Sequence, residues 1–211
     1  MADRVFTDEE LRALGARTLD LLEAAIDAGD AAGAKALARR MYGEFGGMHD
    51  LYRDWITDLL TYIGRRDGDA ALADALATTV GRFTTRLGRR YAGKPFRRRV
   101  EMLAAGLRGH LQPMTLEEDA EKVTIVMPLC GSGGRLVREG AYDRPDGFLR
   151  IRRAQAMTFG REDFPVYCAH CHFQNVSPTV PGGPPLFVTE PAARLGAEPC
   201  RCVVPKEDGA R

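Results

Sequence analysis

Five residues near the carboxyl end of the chain, Cys168-Ala169-His170-Cys171-His172, carry two thiols and two imidazoles. The chain has five cysteines among its 211 residues, and the other three are Cys130, Cys200 and Cys202. All of them fall in the last two-fifths of the sequence. Five cysteines cannot all pair in disulfides, and a cysteine cluster inside a reducing compartment is more often metal-binding or catalytic. This cluster constrains the fold of the carboxyl-terminal part more than any other feature.

The spacing of the cysteines is typical of a metal site. A structural zinc ion takes four tetrahedral thiolate or imidazole ligands, and Cys-x-x-Cys lets two thiolates reach one ion from a tight turn. We therefore predict one zinc ion as the cofactor. The four predicted ligands are Cys130, Cys168, Cys171 and Cys200. The reserve ligands are Cys202, His170 and His172.

Two other interpretations of the cysteines stay open. Cys-x-x-Cys also occurs in thiol-disulfide oxidoreductases, where a helix amino terminus lowers the pKa of the first thiol. Here the residues after Cys171 are few before Pro178, and this argues against such a helix. The remaining interpretation is a set of buried thiols without a ligand.

Small residues follow Cys130 in the segment Gly131-Ser132-Gly133-Gly134-Arg135. Exposed backbone amides of such a segment can form an anion nest, to which an arginine adds a bidentate fork. Ser132 and Arg135 are therefore candidate ligand-binding residues. In a structural interpretation, the glycines instead let the chain turn back towards the sulfur of a metal-ligating cysteine. The segment lacks the Lys-Ser/Thr ending of a phosphate-binding P-loop.

Charge and hydropathy indicate a soluble cytoplasmic protein. The formal net charge is +1, so no overall field favours nucleic acid or a membrane surface as a partner. The acidic amino terminus lacks the pattern of a signal peptide, and no apolar run approaches the roughly 20 residues that span a bilayer. Eight basic residues and no acidic one lie between Asp74 and Glu101, in the stretch from Arg82 to Arg99. A solvated basic face is the simpler interpretation, and an anion or partner surface is the alternative. The oligomeric state stays open.

The first half of the chain has helical patterns. Thr7 and Glu10 form a capping box that predicts a helix start. Further on, a single long helix, or two nearly collinear ones, is predicted through the Gly46-Gly47 doublet, whose glycines would allow the close approach of another backbone. The predicted apolar face contains Ala38, Met41, Tyr42, Phe45, His49, Tyr52, Ile56, Leu59, Leu60 and Ile63. The opposite, solvated side contains Asp50, Asp54, Thr57, Asp58 and Thr61. The segment Asp67-Gly68-Asp69 restarts the chain, and Pro95 suits the first turn of a last helix.

The composition changes after His110, since eleven of the twelve prolines lie from Pro113 onward. Long helices are excluded there, and short strand-like runs separated by Gly and Pro turns appear instead. These runs are 122–127, 135–139, 148–151, 166–167, 186–189 and 202–204. We predict an α+β chain, with a helical bundle over residues 1–112 and a small metal-stabilised, β-rich, cysteine-rich part over residues 113–211, packed as one unit.

Two histidines outside the cluster are candidates for chemistry. His49 lies on the apolar face, and His110 lies at the join of the helical and cysteine-rich parts, where pockets form. An imidazole oriented by a carboxylate can act as an acid or base near neutral pH, and Glu44 is the predicted partner of His49. We therefore expect an enzyme, a metal-dependent hydrolase or lyase, that acts on a small polar or anionic ligand. A satisfied core histidine is the bland interpretation, and a structural-zinc module that binds a partner is the alternative function.

The combined pattern resembles a family of uncharacterised bacterial proteins. It comprises Met48-His49-Asp50, Asp54-Trp55, Glu117-Glu118-Asp119, the segment 130–135, Thr158-Phe159-Gly160 and Tyr167-Cys168-Ala169-His170-Cys171. The resemblance spans most of the chain. It implies one co-folded unit and transfers no activity and no catalytic residue.

Overall fold

A computed structural model describes residues 5–179 and 183–206 of the chain. By its contacts the chain divides into two compact units, Met1–Leu51 and Tyr52–Arg211. The first unit contains α1, Asp8–Gly15, then α2, Thr18–Asp27, and the start of α3, Ala31–Tyr91. The predicted domain boundary near residue 112 falls inside the second unit.

The predicted start of α1 is confirmed. The Thr7 hydroxyl accepts a hydrogen bond from the Glu10 backbone N–H at 3.2 Å, and the Glu10 carboxylate accepts one from the Thr7 backbone N–H at 2.7 Å. Two amide donors that the first turn would leave unpaired are thereby satisfied.

The long helix through the glycine doublet is also confirmed, since α3 is helical on both sides of Gly46-Gly47. A Cβ added at Gly47 would meet no atom within 4 Å, so the described residues make no close approach at this glycine. The predicted restart at Asp67-Gly68-Asp69 corresponds to a kink, because Gly68 has φ 82° and ψ −178° inside α3. Positive φ at this point suits glycine, which has no Cβ to clash.

The predicted apolar face of α3 is wrong for most of its members, although Leu60 is buried as predicted. The exposed members include Met41, Tyr42, Phe45, Tyr52, Ile56 and Leu59. Thr57 and Thr61, which were predicted on the solvated side, are buried, and so is Arg53. The threonines can turn inward because their hydroxyls find partners: Thr57 donates to the Arg53 carbonyl at 2.6 Å, and Thr61 accepts from the Leu149 N–H at 3.1 Å. A buried polar group with a hydrogen bond costs little, so packing rather than hydropathy selected this face.

Helix α4, Phe96–Arg108, begins after Pro95 as predicted, and it leads into an antiparallel sheet of four strands in the order β1-β2-β6-β5. The strands are β1 Thr115–Glu118, β2 Lys122–Met127, β5 Val188–Glu190 and β6 Cys200–Pro205. Strand β2 alternates between the core and the other face, and Ile125 on β2 pairs in register with Cys202 on β6. Val100 and Leu103 of α4 belong to the core cluster that contains Val123 and Ile125.

Between β2 and β5 the chain forms short elements. They are α5 Gly133–Arg138, β3 Arg150–Ile151, β4 Phe164–Pro165 and α6 His170–Val176, with a 3-10 turn over Val166–Ala169 before α6. The predicted strands over 135–139 and 166–167 are therefore wrong. A run of two or three apolar residues does not distinguish a strand from a short buried helix, and Leu136 is buried from α5 instead.

Two apolar cores hold the second unit together. One joins Leu72 and Leu76 of α3 to Leu136, Ile151 and Val166. The other joins α4 to the four-stranded sheet and includes Cys202. Helices and antiparallel strands occur together in one chain, so the α+β class is confirmed. Over the described ranges 5–179 and 183–206, the helices lack the length and apolar content needed to cross a bilayer.

Candidate functional site

All five cysteines line one cavity of about 270 Å³ in the second unit. The Cys130 loop, the segment around Cys168 and Cys171, and the strand β6 with Cys200 and Cys202 each form part of its wall. Three segments distant in the sequence thus bring their thiols to the same space. Phe83 of α3, Leu107 of α4, and His110 in the turn after α4 also line the cavity, together with His170.

The loop after Cys130 is packed so closely that its glycines have no room for a side chain. A Cβ at Gly133 would lie 2.6 Å from the Cys168 sulfur, and one at Gly131 would lie 1.6 Å from the His110 carbonyl oxygen. Gly134 is tight as well, since its Cβ would lie 3.1 Å from that of Cys130. The glycines therefore bring the backbone against Cys168 and against the turn that follows α4.

Gln112 fixes this loop from the other side. Its side-chain oxygen accepts a hydrogen bond from the Gly131 N–H at 2.7 Å, and its side-chain nitrogen donates to the Met127 sulfur at 3.0 Å. Gln112 is buried and lines the cavity. The sequence analysis missed this residue, and the only available signal was a polar side chain two positions after His110 at the change of composition.

The segment that carries Cys168 and Cys171 consists of a 3-10 turn and the start of helix α6. It leaves the 3-10 turn at Ala169 and enters α6 at His170, so a short helix begins inside the motif, although none was expected from the sequence. The His170 Nδ1 lies within hydrogen-bonding distance of the Tyr167 carbonyl. A carbonyl oxygen only accepts, so Nδ1 carries the proton and the neutral ring presents the lone pair of Nε2. That Nε2 lies 3.6 Å from the Cys171 sulfur.

Cys200 and Cys202 are two residues apart on β6. The Ala192 N–H donates to the Cys200 sulfur at 3.4 Å, as amides often do to thiolates. The Cys202 sulfur lies 3.8 Å from the Thr189 hydroxyl within the core of the sheet. None of the five cysteines, all of which are described, forms a disulfide.

Burial governs the acidity of these groups. It raises the pKa of Cys171 and of Cys202 to about 12 and that of Cys200 to about 11. Burial, reinforced by the neighbouring thiols, also raises the pKa of Cys168 well above its usual range. The same effect lowers the pKa of His170, because the charged form loses its hydration. The protein environment alone therefore favours neutral thiols and a neutral imidazole.

The thiols share a cavity without converging on one point. Within the parts of the chain that the structure describes, no three His, Cys, Asp or Glu side chains are placed so that they could together hold a metal ion. Cys171 and His170 form a pair at 3.6 Å, and the other cysteines line the same walls. The donor chemistry fits a thiophilic cation, and side-chain rotation would have to complete the set.

Three of the polar side chains that line the cavity are joined by hydrogen bonds. The His110 Nδ1 lies 2.9 Å from the Ser132 hydroxyl, and Ser132 also hydrogen-bonds the side chain of Tyr167. Burial raises the pKa of Tyr167 to about 12, so it remains a neutral phenol. Of the two predicted ligand-binding residues, Ser132 lines the cavity, whereas Arg135 bonds Glu139 and the Gly131 carbonyl.

The other two predicted catalytic residues lie in the first unit. The His49 Nδ1 is 2.9 Å from an Asp50 carboxylate oxygen. The predicted partner Glu44 instead accepts from the Thr18 hydroxyl at 2.7 Å and from the Arg40 Nε at 2.8 Å. The predicted pair of Glu44 and His49 does not form, because Asp50, next in sequence, bonds His49, and because Thr18 and Arg40 donate to Glu44.

Comparisons with family models, with curated proteins and with solved structures find no match to this chain. The geometry of the site is therefore the basis for any functional interpretation, and the resemblance to a bacterial family stays a prediction.

Proposed function

We propose that the cavity of the second unit binds one zinc ion through its cysteines. The proposed ligands are Cys130, Cys168, Cys171 and Cys200, with His170 competing for one of the four positions. Support comes above all from the gathering of every cysteine of the chain around one cavity, although the thiols come from three distant segments. Thiolate and imidazole are the ligands that zinc takes in closed structural sites.

The pair formed by Cys171 and His170 supports the inclusion of the imidazole. With Zn–S about 2.3 Å and Zn–N about 2.0 Å, two ligands of a tetrahedral ion lie roughly 3.5 Å apart. The Cys171 sulfur and the His170 Nε2 are 3.6 Å apart. The other ring nitrogen of His170 donates to a backbone carbonyl, which is how metal-ligating histidines are usually oriented. Cys202 is less suited, because its sulfur lies beside Thr189 in the sheet core.

When bound, the ion would supply a tetrahedral cross-link between the Cys130 loop, the segment before and within α6, and β6. We propose that this cross-link is what stabilises the β-rich carboxyl-terminal part. The thiol-disulfide alternative has less support, since burial raises rather than lowers the pKa of Cys168. A catalytic thiol in that chemistry needs a lowered pKa.

Two adjacent histidines provide the test. His170 lines the cavity, whereas His172 stacks edge-on against Phe159 and lies outside the cavity wall. Purified protein should contain one zinc per chain by elemental analysis. We expect His170→Gln to weaken zinc affinity at least about 10-fold in a competition titration with a chromogenic chelator, because loss of a direct ligand should cost no less than loss of an outer-shell partner. His172→Gln is the matched control and should bind zinc like the parent.

The outcomes separate the parts of the proposal. A folded parent protein without metal would remove the zinc site. Full zinc with an unchanged affinity in the His170→Gln protein would leave the ion to the four cysteines alone. Loss of zinc in both variants would mean that the whole helix α6, rather than His170, controls binding.

A second candidate function is catalysis on a small molecule in the same cavity. The chain of hydrogen bonds from His110 through Ser132 to Tyr167 favours it, because an imidazole with an oriented hydroxyl can transfer a proton. The aromatic side chains of Phe83 and Phe187 across the cavity would suit a ligand with an apolar body as well as the polar or anionic group predicted. The proposal extends to the reaction class, hydrolase or lyase, and names no substrate.

An activated ester tests this second candidate without knowledge of the natural substrate. We expect the protein to hydrolyse p-nitrophenyl acetate and His110→Phe to reduce that rate at least about 10-fold, since general acid-base groups contribute on this scale. His172→Phe is the control for a change of histidine outside the cavity. Equal rates in the two variants and the parent would leave the cavity as a binding site only.

A further inference from the structure

Helix α3 carries a row of large apolar side chains that the chain leaves exposed. In the first unit the row contains Met41, Phe45 and Met48, and in the second unit it contains Tyr52, Trp55, Leu59 and Tyr62. We call these seven side chains the α3 apolar row. Each of them is between 39% and 58% exposed. Tyr42, Leu51 and Ile56, each next in sequence to a member of the row, are exposed as well.

The row is exposed although the other side of α3 in the second unit is packed. In the second unit the opposite side of α3 is packed, since Arg53 and Thr57 are buried and Leu60 belongs to the core. The chain has therefore placed threonines and an arginine inward and aromatic rings outward. Because the burial of an aromatic ring is favourable by a few kcal/mol, this orientation indicates a second contact for the outer side.

The first unit also indicates that this helix has a partner, because the part of it that the structure describes lacks an apolar core of its own. Over its described residues, 5–51, the one buried side chain is that of Thr18, and no apolar side chain is buried. Its helices α1 and α2 have eight and ten residues, too short to be stable alone in water. A unit of this size without a core usually depends on oligomerisation or on a metal or disulfide, and the first unit contains no cysteine.

The spacing of the row identifies the kind of partner. The seven positions advance by alternate steps of four and three residues from Met41 to Tyr62. This is the heptad spacing of a coiled-coil seam, which interlocks with another helix of the same spacing. A second copy of this chain supplies such a helix, and a two-fold axis would let the same row meet itself.

The area of the row fits a dimer. Seven half-exposed side chains of this size offer roughly 750 Å² per copy, or about 1,500 Å² for a pair, within the range of about 1,200–2,000 Å² for stable interfaces. The largest apolar patch of a typical monomer is about 300–600 Å². Asp50, Asp54 and Asp58 stand along the same stretch, and their charge disfavours an anionic membrane as the occupant.

We propose that the protein forms a homodimer through the α3 apolar row, which packs against the same row of a second copy. The contact is a helix-to-helix seam with Trp55 near its middle. It is independent of the zinc proposal, because no member of the row lines the cysteine cavity.

The chain contains one tryptophan, Trp55, so its fluorescence reports on the proposed seam directly. On dilution from micromolar to nanomolar concentration, the emission maximum should move to longer wavelength as the ring returns to water. Sedimentation equilibrium over the same range should show the change from two chains to one. A red-shifted emission and a single-chain mass at every concentration would overturn the proposal.

Variants on each half of the row sharpen the test. Leu59→Glu and Phe45→Glu should each raise the dissociation constant at least about 100-fold, because a charge would be buried at the seam. Leu116→Glu is the matched control, since Leu116 on β1 is 48% exposed, as is Leu59, but lies outside the row. Circular dichroism should show unchanged helix content in all three. Dimers that persist in both row variants would place the contact elsewhere and overturn the proposal.

Discussion

Gly133 shows how a residue without a side chain can shape this site. The Cys168 sulfur occupies the position that a larger residue at 133 would need, and Gly133 itself begins α5. The close approach lets a backbone turn and a buried thiol share the cavity wall. Neither the positive-φ requirement nor a turn type explains this glycine, and the reason is contact with a distant cysteine.

We therefore predict opposite effects for two glycine-to-alanine changes. Gly133→Ala should destabilise the protein by about 1–3 kcal/mol and reduce zinc affinity, because the new Cβ would displace the Cys168 sulfur. Gly106→Ala, in α4, has nothing within 4 Å of the added atom and should stabilise the helix by up to about 1 kcal/mol. Urea titration and chelator competition would measure both. Equal stability of the two variants would mean that the loop relaxes away from Cys168.

At the scale of elements, helix boundaries followed local chemistry and helix faces did not. The capping box at Thr7 depends on residues three apart, and it formed as the sequence indicates. The pKa of Glu10 is lowered by the hydrogen bond from the Thr7 backbone. The contribution of this hydrogen bond to folding stability is therefore fully present above the ordinary carboxyl pKa, and it is lost as the pH falls through the lowered pKa of Glu10. Face selection in α3 depended instead on distant partners such as Leu149 for Thr61.

The short elements of the second half show the same division. Strand β2 was predicted at its observed bounds, because four of its six residues are the β-branched Val, Thr and Ile that are typical of strands. The runs 135–139 and 166–167 are too short for such a signal and became a helix and a turn. Strand β6 begins at Cys200, two residues before the predicted run, and places both of its cysteines in the cavity wall.

At the scale of the molecule, the cysteine cavity is lined by side chains that pack in both apolar cores of the second unit. Tyr167 packs against one core, and Met127 and Cys202 belong to the other. A metal ion held between the Cys130 loop, the Cys168 segment and β6 would therefore link the two cores. Its removal would loosen both of them at once.

Chelation should accordingly lower the stability of the whole second unit. At a metal concentration about 1,000 times the dissociation constant, bound zinc adds about 4 kcal/mol, and its removal should lower the Tm by about 10 °C. Differential scanning calorimetry with and without a strong chelator would measure this shift. Re-addition of zinc should restore the parent Tm, and a magnesium addition is the control. An unchanged Tm after verified removal of the metal would contradict the cross-link.

The sequence by itself determined the α+β class, the start of α1, the continuity of α3 through Gly46-Gly47, the break near Gly68 and the strand β2, because hydrogen bonding and hydrophobic periodicity act between near neighbours. It also singled out the cysteines as a set. Only the tertiary structure decided that His110, Ser132 and Gln112 share a cavity with them, that Glu44 bonds Thr18 rather than His49, and that the apolar row of α3 faces outward. These outcomes depend on which distant surfaces meet, and a pattern along the chain states that a face is apolar without stating what covers it.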